Sequence, residues 1–372
     1  MAPRPRTADL RLGFFEKLGL VPIFAAVLGK TFWTALTAKF ISKNKRPSSF
    51  ARLLGYTALR TLLNKNSSRT EQASAPGTEE NYLAWCKQAN VQPVTETLKD
   101  GTNAYWVGSR GAEKVWIYFH GGGYSIPAYV EQFQMLHSLV KDLNDDVPGG
   151  IAALVLHYDV APWAAYPRQL AQAAALLNHV RSALGVPAAN IIVGGDSAGG
   201  NLTLGLLSHA LHPHPDAALV PRVELAPAER LRAAVLISPW ASFDTRAASF
   251  ERNRHRDMLG PAALGRWATL FLGGRPTDPY NEPVDVPAGW WKGLGGVVRD
   301  VLFLGGEYEV LLDGILNCAE SVRNEWKGEG EVGCVVAEGE AHDSAWVDTL
   351  WGFKKEELGM YREMRDWLKT KV

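Results

Sequence analysis

Two strand-like apolar runs in this chain each end in a glycine-framed segment. Val115-Trp116-Ile117-Tyr118-Phe119 leads into His120-Gly121-Gly122-Gly123, and Ile191-Ile192-Val193 leads into Gly195-Asp196-Ser197-Ala198-Gly199-Gly200-Asn201. The second segment has the form G-x-S-x-G between an apolar run and a helix-like stretch. That is a tight strand-to-helix turn whose flanking glycines leave no side chain in the way. The first places consecutive glycine amides where they can face a developing oxyanion. A chance G-x-S-x-G is expected roughly 0.1–0.3 times in a chain of this size, and His-Gly-Gly-Gly about a hundredfold less often. Their conjunction, each at a strand end, is the specific signal. It implies a nucleophile turn and a separate amide loop, the equipment of acyl transfer.

The rest of the chain agrees with a sheet that carries such turns. Residues 94–99 and 103–107 alternate around Asp100-Gly101, a hairpin signal. Apolar runs at 115–119, 151–157, 191–195, 232–238, 301–305 and 332–337 then alternate with helical stretches at about 129–143, 168–184, 198–210, 311–327 and 345–370. Continuous apolar runs separated by helices predict a parallel sheet covered on both faces, an α/β fold. The 372 residues suit one large α/β domain over 82–372 with added cap elements better than two equal domains. Residues 242–298 fall between two core strands, carry Trp267, Phe271, Trp290 and Trp291, and are expected to form a cap insertion. Residues 1–81 read as an N-terminal cap or membrane-associated region with a flexible polar connection from Ser67 to Glu80.

A serine hydroxyl needs a base, and the base needs an orienting acid. Among the histidines only His342 follows the penultimate strand run, in the loop Glu338-Gly-Glu-Ala-His-Asp343. With the order serine, acid, histidine, the acid belongs on the loop after 301–305, where Glu307, Glu309 and Asp313 all qualify. Glu309 ranks first, Asp313 second and Glu307 third.

These pieces together resemble the hormone-sensitive lipase family of α/β-hydrolases, including arylacetamide-deacetylase-like and fungal carboxylesterases. The resemblance rests on His120-Gly-Gly-Gly123, Gly195-Asp-Ser-Ala-Gly-Gly-Asn201, Glu309-x-Leu-x-Asp313 and His342-Asp343, and covers about 82–370. It implies an α/β-hydrolase fold with a mostly parallel sheet and a helical cap. It also implies Ser197 as nucleophile, His342 as general base and Glu309 as triad acid. The amides of Gly122, Gly123 and Ala198 would form the oxyanion hole, with His120 steadying the glycine loop and Asp196 a framework residue. Two departures stand out. Tyr158-Asp159-Val160-Ala161-Pro162-Trp163 replaces the usual Tyr-Arg-Leu-Ala-Pro-Glu, and Ser344 stands where a bulky apolar residue is common, which predicts a reshaped entrance.

The expected reaction is hydrolysis of a small hydrophobic ester or lactone, a secondary metabolite being one substrate class, without cofactor or metal. The alternatives on this scaffold are a ligand-binding receptor, against which His342 speaks, and a dehydratase or cyclase. A formal net charge of zero with no evident basic stripe points away from nucleic acid. Cys86, Cys318 and Cys334 lack metal-like spacing and read as reduced thiols of a cytoplasmic protein. Residues 18–38 are apolar but marginal for a span. An amphipathic cap helix is the first expectation there, membrane-surface attachment the second and a span the third. His212-Pro213-His214 reads as a solvated loop, not a metal pair.

Overall fold

The computed structural model describes residues 12–145, 150–226 and 228–372. The chain runs α1 (Phe14–Thr37), α2 (Phe50–Lys65), α3 (Ser68–Ser74), α4 (Thr78–Ala89), β1 (Thr95–Thr97), β2 (Asn103–Val107), β3 (Lys114–Phe119), α5 (Val130–Asn144), β4 (Ile151–Leu156), α6 (Arg168–Ser182) and β5 (Ile191–Asp196). It continues through α7 (Ala198–Leu211), β6 (Leu231–Ile237), α8 (Ala248–Asn253), α9 (Pro261–Leu272), β7 (Val298–Gly306), α10 (Leu312–Glu325), β8 (Val332–Ala337), α11 (Ser344–Val347) and α12 (Gly359–Lys369).

The strands form one sheet in the order β1-β2-β4-β3-β5-β6-β7-β8. The β1–β2 and β2–β4 pairs are antiparallel and the remaining neighbours are parallel. Every residue of β4 and β5 is buried, which is why these strands read as unbroken apolar runs instead of alternating ones. The hairpin turns at Gly101, where φ is 81°, and Asp100 accepts from the Thr102 amide to close it.

The chain crosses from β3 outward to β4 and then returns to place β5 on the other side of β3. Strand order therefore reverses between β3 and β5, and a crevice opens at their carboxyl ends, where open α/β sheets bind ligands. The two glycine motifs leave the sheet at this point.

Three expectations change. Residues 67–80 are not a flexible connection: Ser67 caps α3, and Glu71 and Gln72 are buried. Their polarity serves tertiary bonds. Glu71 accepts from Arg266 and Trp267, while Gln72 donates to the carbonyls of Ser125 and Ala161. The helix expected over 345–370 is broken, because Gly352 turns the chain at φ 85° between α11 and α12. The insertion 242–298 also divides. Within residues 248–272, α8 packs on the segment after β7 and α9 lies beside the glycine loop, whereas Tyr280 and Asn281 run back along α7, against Gly205 and Asn201.

Candidate active site

Phe119 and Gly195 are register partners on adjacent strands, so the segments following them start side by side. At the β5–α7 turn Ser197 adopts φ 52° and ψ −114°, a conformation side chains seldom take. The turn is over-determined. The Ser197 amide donates to the Ile237 carbonyl at 2.8 Å, and its carbonyl accepts from the Trp240 amide at 3.0 Å. A Cβ at Gly195 or Gly199 would lie 2.2 or 1.8 Å from the Phe119 carbonyl oxygen, so both glycines are required for backbone to pass backbone.

In the loop after β3, Gly122 and Gly123 have φ of 110° and 58°. A Cβ at Gly123 would sit 2.4 Å from the Trp267 ring of α9. The amides of Gly122 and Gly123 donate to no other described residue. Ala198 opens α7, where first-turn amides lack an intrahelical acceptor. His120 is fully buried, bonds the Gly121 carbonyl through Nδ1 at 2.7 Å and stacks on Tyr158 at 4.1 Å. Burial pushes its pKa down to about 4, so the ring is neutral. Asp196 accepts from Gly121 N, Tyr118 Oη, Gln132 Nε2 and Trp346 Nε1. It thereby ties the glycine loop and α5 to α11, just beyond His342.

The structure separates the three acids, with Glu307 and Glu309 on the β7–α10 loop and Asp313 in the first turn of α10. Glu309 Oε2 accepts from His342 Nδ1 at 3.0 Å, with both side chains buried. Its Oε1 accepts from Ser238 Oγ at 2.6 Å and from the Gly306 amide at 2.5 Å. Asp313 instead holds α8, accepting from the Ser249 amide and from Arg252, each at 2.7 Å. Glu307 accepts from the Gly339 amide at 2.9 Å and steadies the turn after β8. Among the three, only Glu309 reaches the histidine.

The other nitrogen, His342 Nε2, lies 3.2 Å from Asp343 Oδ2, and no hydrogen bond joins the ring to Ser197 Oγ among the described residues. Burial opposes charge on the ring, but Asp343, Glu309 and Asp257 outweigh it and push the His342 pKa up to about 10. Burial pushes Asp257 up to about 6.

Sequence reasoning missed the supports of this loop. Ser238, at the end of β6, donates to Glu309 and accepts from the Asp343 amide at 3.1 Å. Asn253 donates to the Glu309 carbonyl at 2.8 Å, and Asp257 Oδ2 accepts from the Val310 amide at 2.7 Å. A polar residue ending the apolar run 232–238 was a usable signal for Ser238. Asn253 and Asp257 lie in a polar insertion with no local pattern to mark them. Ser344 is buried and donates to Glu340 at 2.6 Å, so it braces the histidine loop; no reshaped entrance is needed to account for it. In the other departing segment, Asp159 pairs with Arg168 at 3.0 Å and Trp163 donates to Gln72 at 2.7 Å.

Comparison with known proteins gives this geometry its relatives. The chain is 32% identical over 213 residues to an acetyl-hydrolase of Streptomyces hygroscopicus, covering 56% of this chain and 62% of that protein. It is 28% identical to steryl acetyl hydrolase 1 of Saccharomyces cerevisiae, covering 46% of this chain and 38% of the yeast protein. The match thus spans less than two thirds of either relative. Among solved structures, an esterase of the bacterial hormone-sensitive lipase family superposes with a TM-score of 0.60 at 22% identity, over 94% of this chain and 98% of that one. The profile of the α/β-hydrolase fold matches residues 116–345, from within β3 past the histidine loop into α11, and the chain belongs to that family.

Proposed function

We propose that this protein hydrolyses carboxylic esters through an acyl-serine intermediate, acting on acetyl and other short acyl esters of hydrophobic alcohols. The observation that carries the reading is the buried Glu309–His342 pair on the sheet edge that also presents the Ser197 turn. In this reading His342 Nε2 takes the hydroxyl proton as Ser197 Oγ bonds to the ester carbonyl carbon. The amides of Gly122, Gly123 and Ala198 hold the resulting oxyanion. The proton then passes to the departing alkoxide, and water repeats the sequence to release the acid. The names of the two curated relatives, both acetyl hydrolases, support acetyl as the acyl group. So does the aromatic wall above the glycine loop, where Trp267 lies against Gly123 and Phe271 stacks on Tyr124 at 3.8 Å.

A fluorophosphonate probe should label Ser197, and p-nitrophenyl acetate or butyrate should be turned over faster than long-chain esters or emulsified triglyceride. No labelling, or activation at a triglyceride interface, would overturn the proposal.

The Asp343 contact adds a pH prediction. His342 serves as base only when neutral, and nearby carboxylates favour its charged form, so they hold the acidic limb of the kcat/KM profile high. Asp343→Asn leaves Glu309 and Asp257 facing the ring but removes one of these charges. The acidic limb should move to lower pH, and an unmoved limb would show that Asp343 does not act on the base.

We further place the protein on a cytoplasmic membrane surface. Cys86, Cys318 and Cys334 are unpaired, and residues Phe14–Phe40 are long and apolar enough to meet a bilayer.

A further inference from the structure

The formal net charge of zero conceals a sharp division. From Lys17 to Thr70 the chain holds ten Lys or Arg residues and no Asp or Glu. The basic stretch that composition hides is the same stretch that carries the most apolar exposed surface. In α1, Phe15, Val21, Phe24, Leu28, Phe32 and Trp33 are all exposed, several by more than 60%. Apolar side chains displayed so densely on one helix mark an interaction surface.

The packing shows how that surface is held. Leu20, Ile23, Val27, Thr31, Thr34 and Ala38 form the more covered stripe, at helical spacing, and α1 packs against α2. At the amino end Glu16 pairs with Arg69, which lies just beyond the carboxyl end of α2. The two helices therefore run antiparallel. In turn α2 is tied to the body, since Gly55 closely approaches Trp351 and Arg52 pairs with Asp348 at 2.8 Å. Were α1 to cross a bilayer, it would carry Arg60 and Lys65 of α2 to the same depth, which is costly for charged groups. A helix lying in the interface instead buries its apolar face and leaves cations at headgroup level.

The cations are placed for that. Lys39, Lys43 and Lys45 cluster at the turn between α1 and α2, Lys17 lies at the other end of α1, and Lys65 lines the same hollow as Lys30. None of Lys17, Lys30, Lys39, Lys43, Lys45 and Lys65 has an acidic partner among the described residues. Lys30 also belongs to a local cluster. The His255 pKa is pushed down by burial and then by Arg60, Arg254 and Lys30 around it.

We infer that α1 and its flanking lysines form a docking surface for an anionic phospholipid membrane, with α1 lying in the plane of the interface. This deepens the membrane attachment proposed above by naming the lipid charge and the orientation.

The test uses the full chain with vesicles of phosphatidylcholine alone or mixed with phosphatidylglycerol. We expect flotation with the mixed vesicles, weakened by salt and released by alkaline carbonate. The triple variant Lys30→Glu, Lys39→Glu and Lys43→Glu should lower partitioning by roughly 100-fold, at about fivefold or more per lysine. Phe24→Ser with Leu28→Ser and Phe32→Ser should abolish flotation. Both variants should retain p-nitrophenyl acetate turnover, which shows that they fold. Binding to neither vesicle would overturn membrane attachment itself. Equal binding to both would overturn the anionic preference alone, and carbonate-resistant insertion would overturn the in-plane orientation. A lipid-independent dimer lost in the triple-serine variant would assign the face to a second copy of the chain.

Discussion

Ser197→Ala should eliminate measurable ester hydrolysis while leaving the protein folded. The hydroxyl is the only part of this residue that the proposed chemistry uses. The turn is held by the Ser197 backbone, through Ile237 and Trp240, and by the glycines at 195 and 199. Alanine keeps all of those contacts. The expected loss in kcat is about 10⁴–10⁶-fold, the range for nucleophile removal from a serine triad. An unchanged melting transition together with failure to react with fluorophosphonate would complete the expected result. A folded Ser197→Ala protein with near-normal turnover would exclude the acyl-serine route.

The second large effect is expected at Glu309. Glu309→Gln preserves volume and the acceptor for Ser238, but it removes the charge that stabilises the imidazolium and the acceptor that selects the His342 Nδ1–H tautomer. The expected loss in kcat is about 10⁴-fold, with KM little changed because the carboxyl is buried behind the histidine. Asp313→Asn is the control. Asp313 holds α8 through Ser249 and Arg252, so its amide variant should alter stability more than kcat. A larger catalytic loss for Asp313→Asn than for Glu309→Gln would reassign the acid.

The contrast between these two acids shows where the sequence stops being sufficient. Glu307, Glu309 and Asp313 lie within seven residues and carry one kind of charge, and spacing alone cannot say which side chain turns inward. The sorting comes from groups outside that stretch: Ser238 and, at the end of β7, Gly306 on one Glu309 oxygen, Asn253 on its carbonyl, and Asp257 on the Val310 amide. The same limit applies to α3, whose polar sequence resembles a linker until Arg266, Trp267 and two loop carbonyls supply partners for Glu71 and Gln72. At α1, by contrast, the charge division was present in the sequence and was masked by averaging over the whole chain.

By itself the sequence determined the features that depend on neighbouring residues. These are the apolar runs that become β3 to β8, the glycines that let the chain turn at 121–123 and 195–199, and the serine between them. Short-range sterics and hydrophobic periodicity suffice for such features. Only the tertiary structure decided that β3 and β5 lie side by side at the reversal of strand order. It also decided that Glu309 is the acid that meets His342, that Asp343 occupies the second ring nitrogen, and that α1 rests on α2 with its outer face exposed. The strand order and the Glu309–His342 contact depend on groups far apart in the chain, and even the contact between the neighbouring His342 and Asp343 takes its strength from burial that removes water from between them.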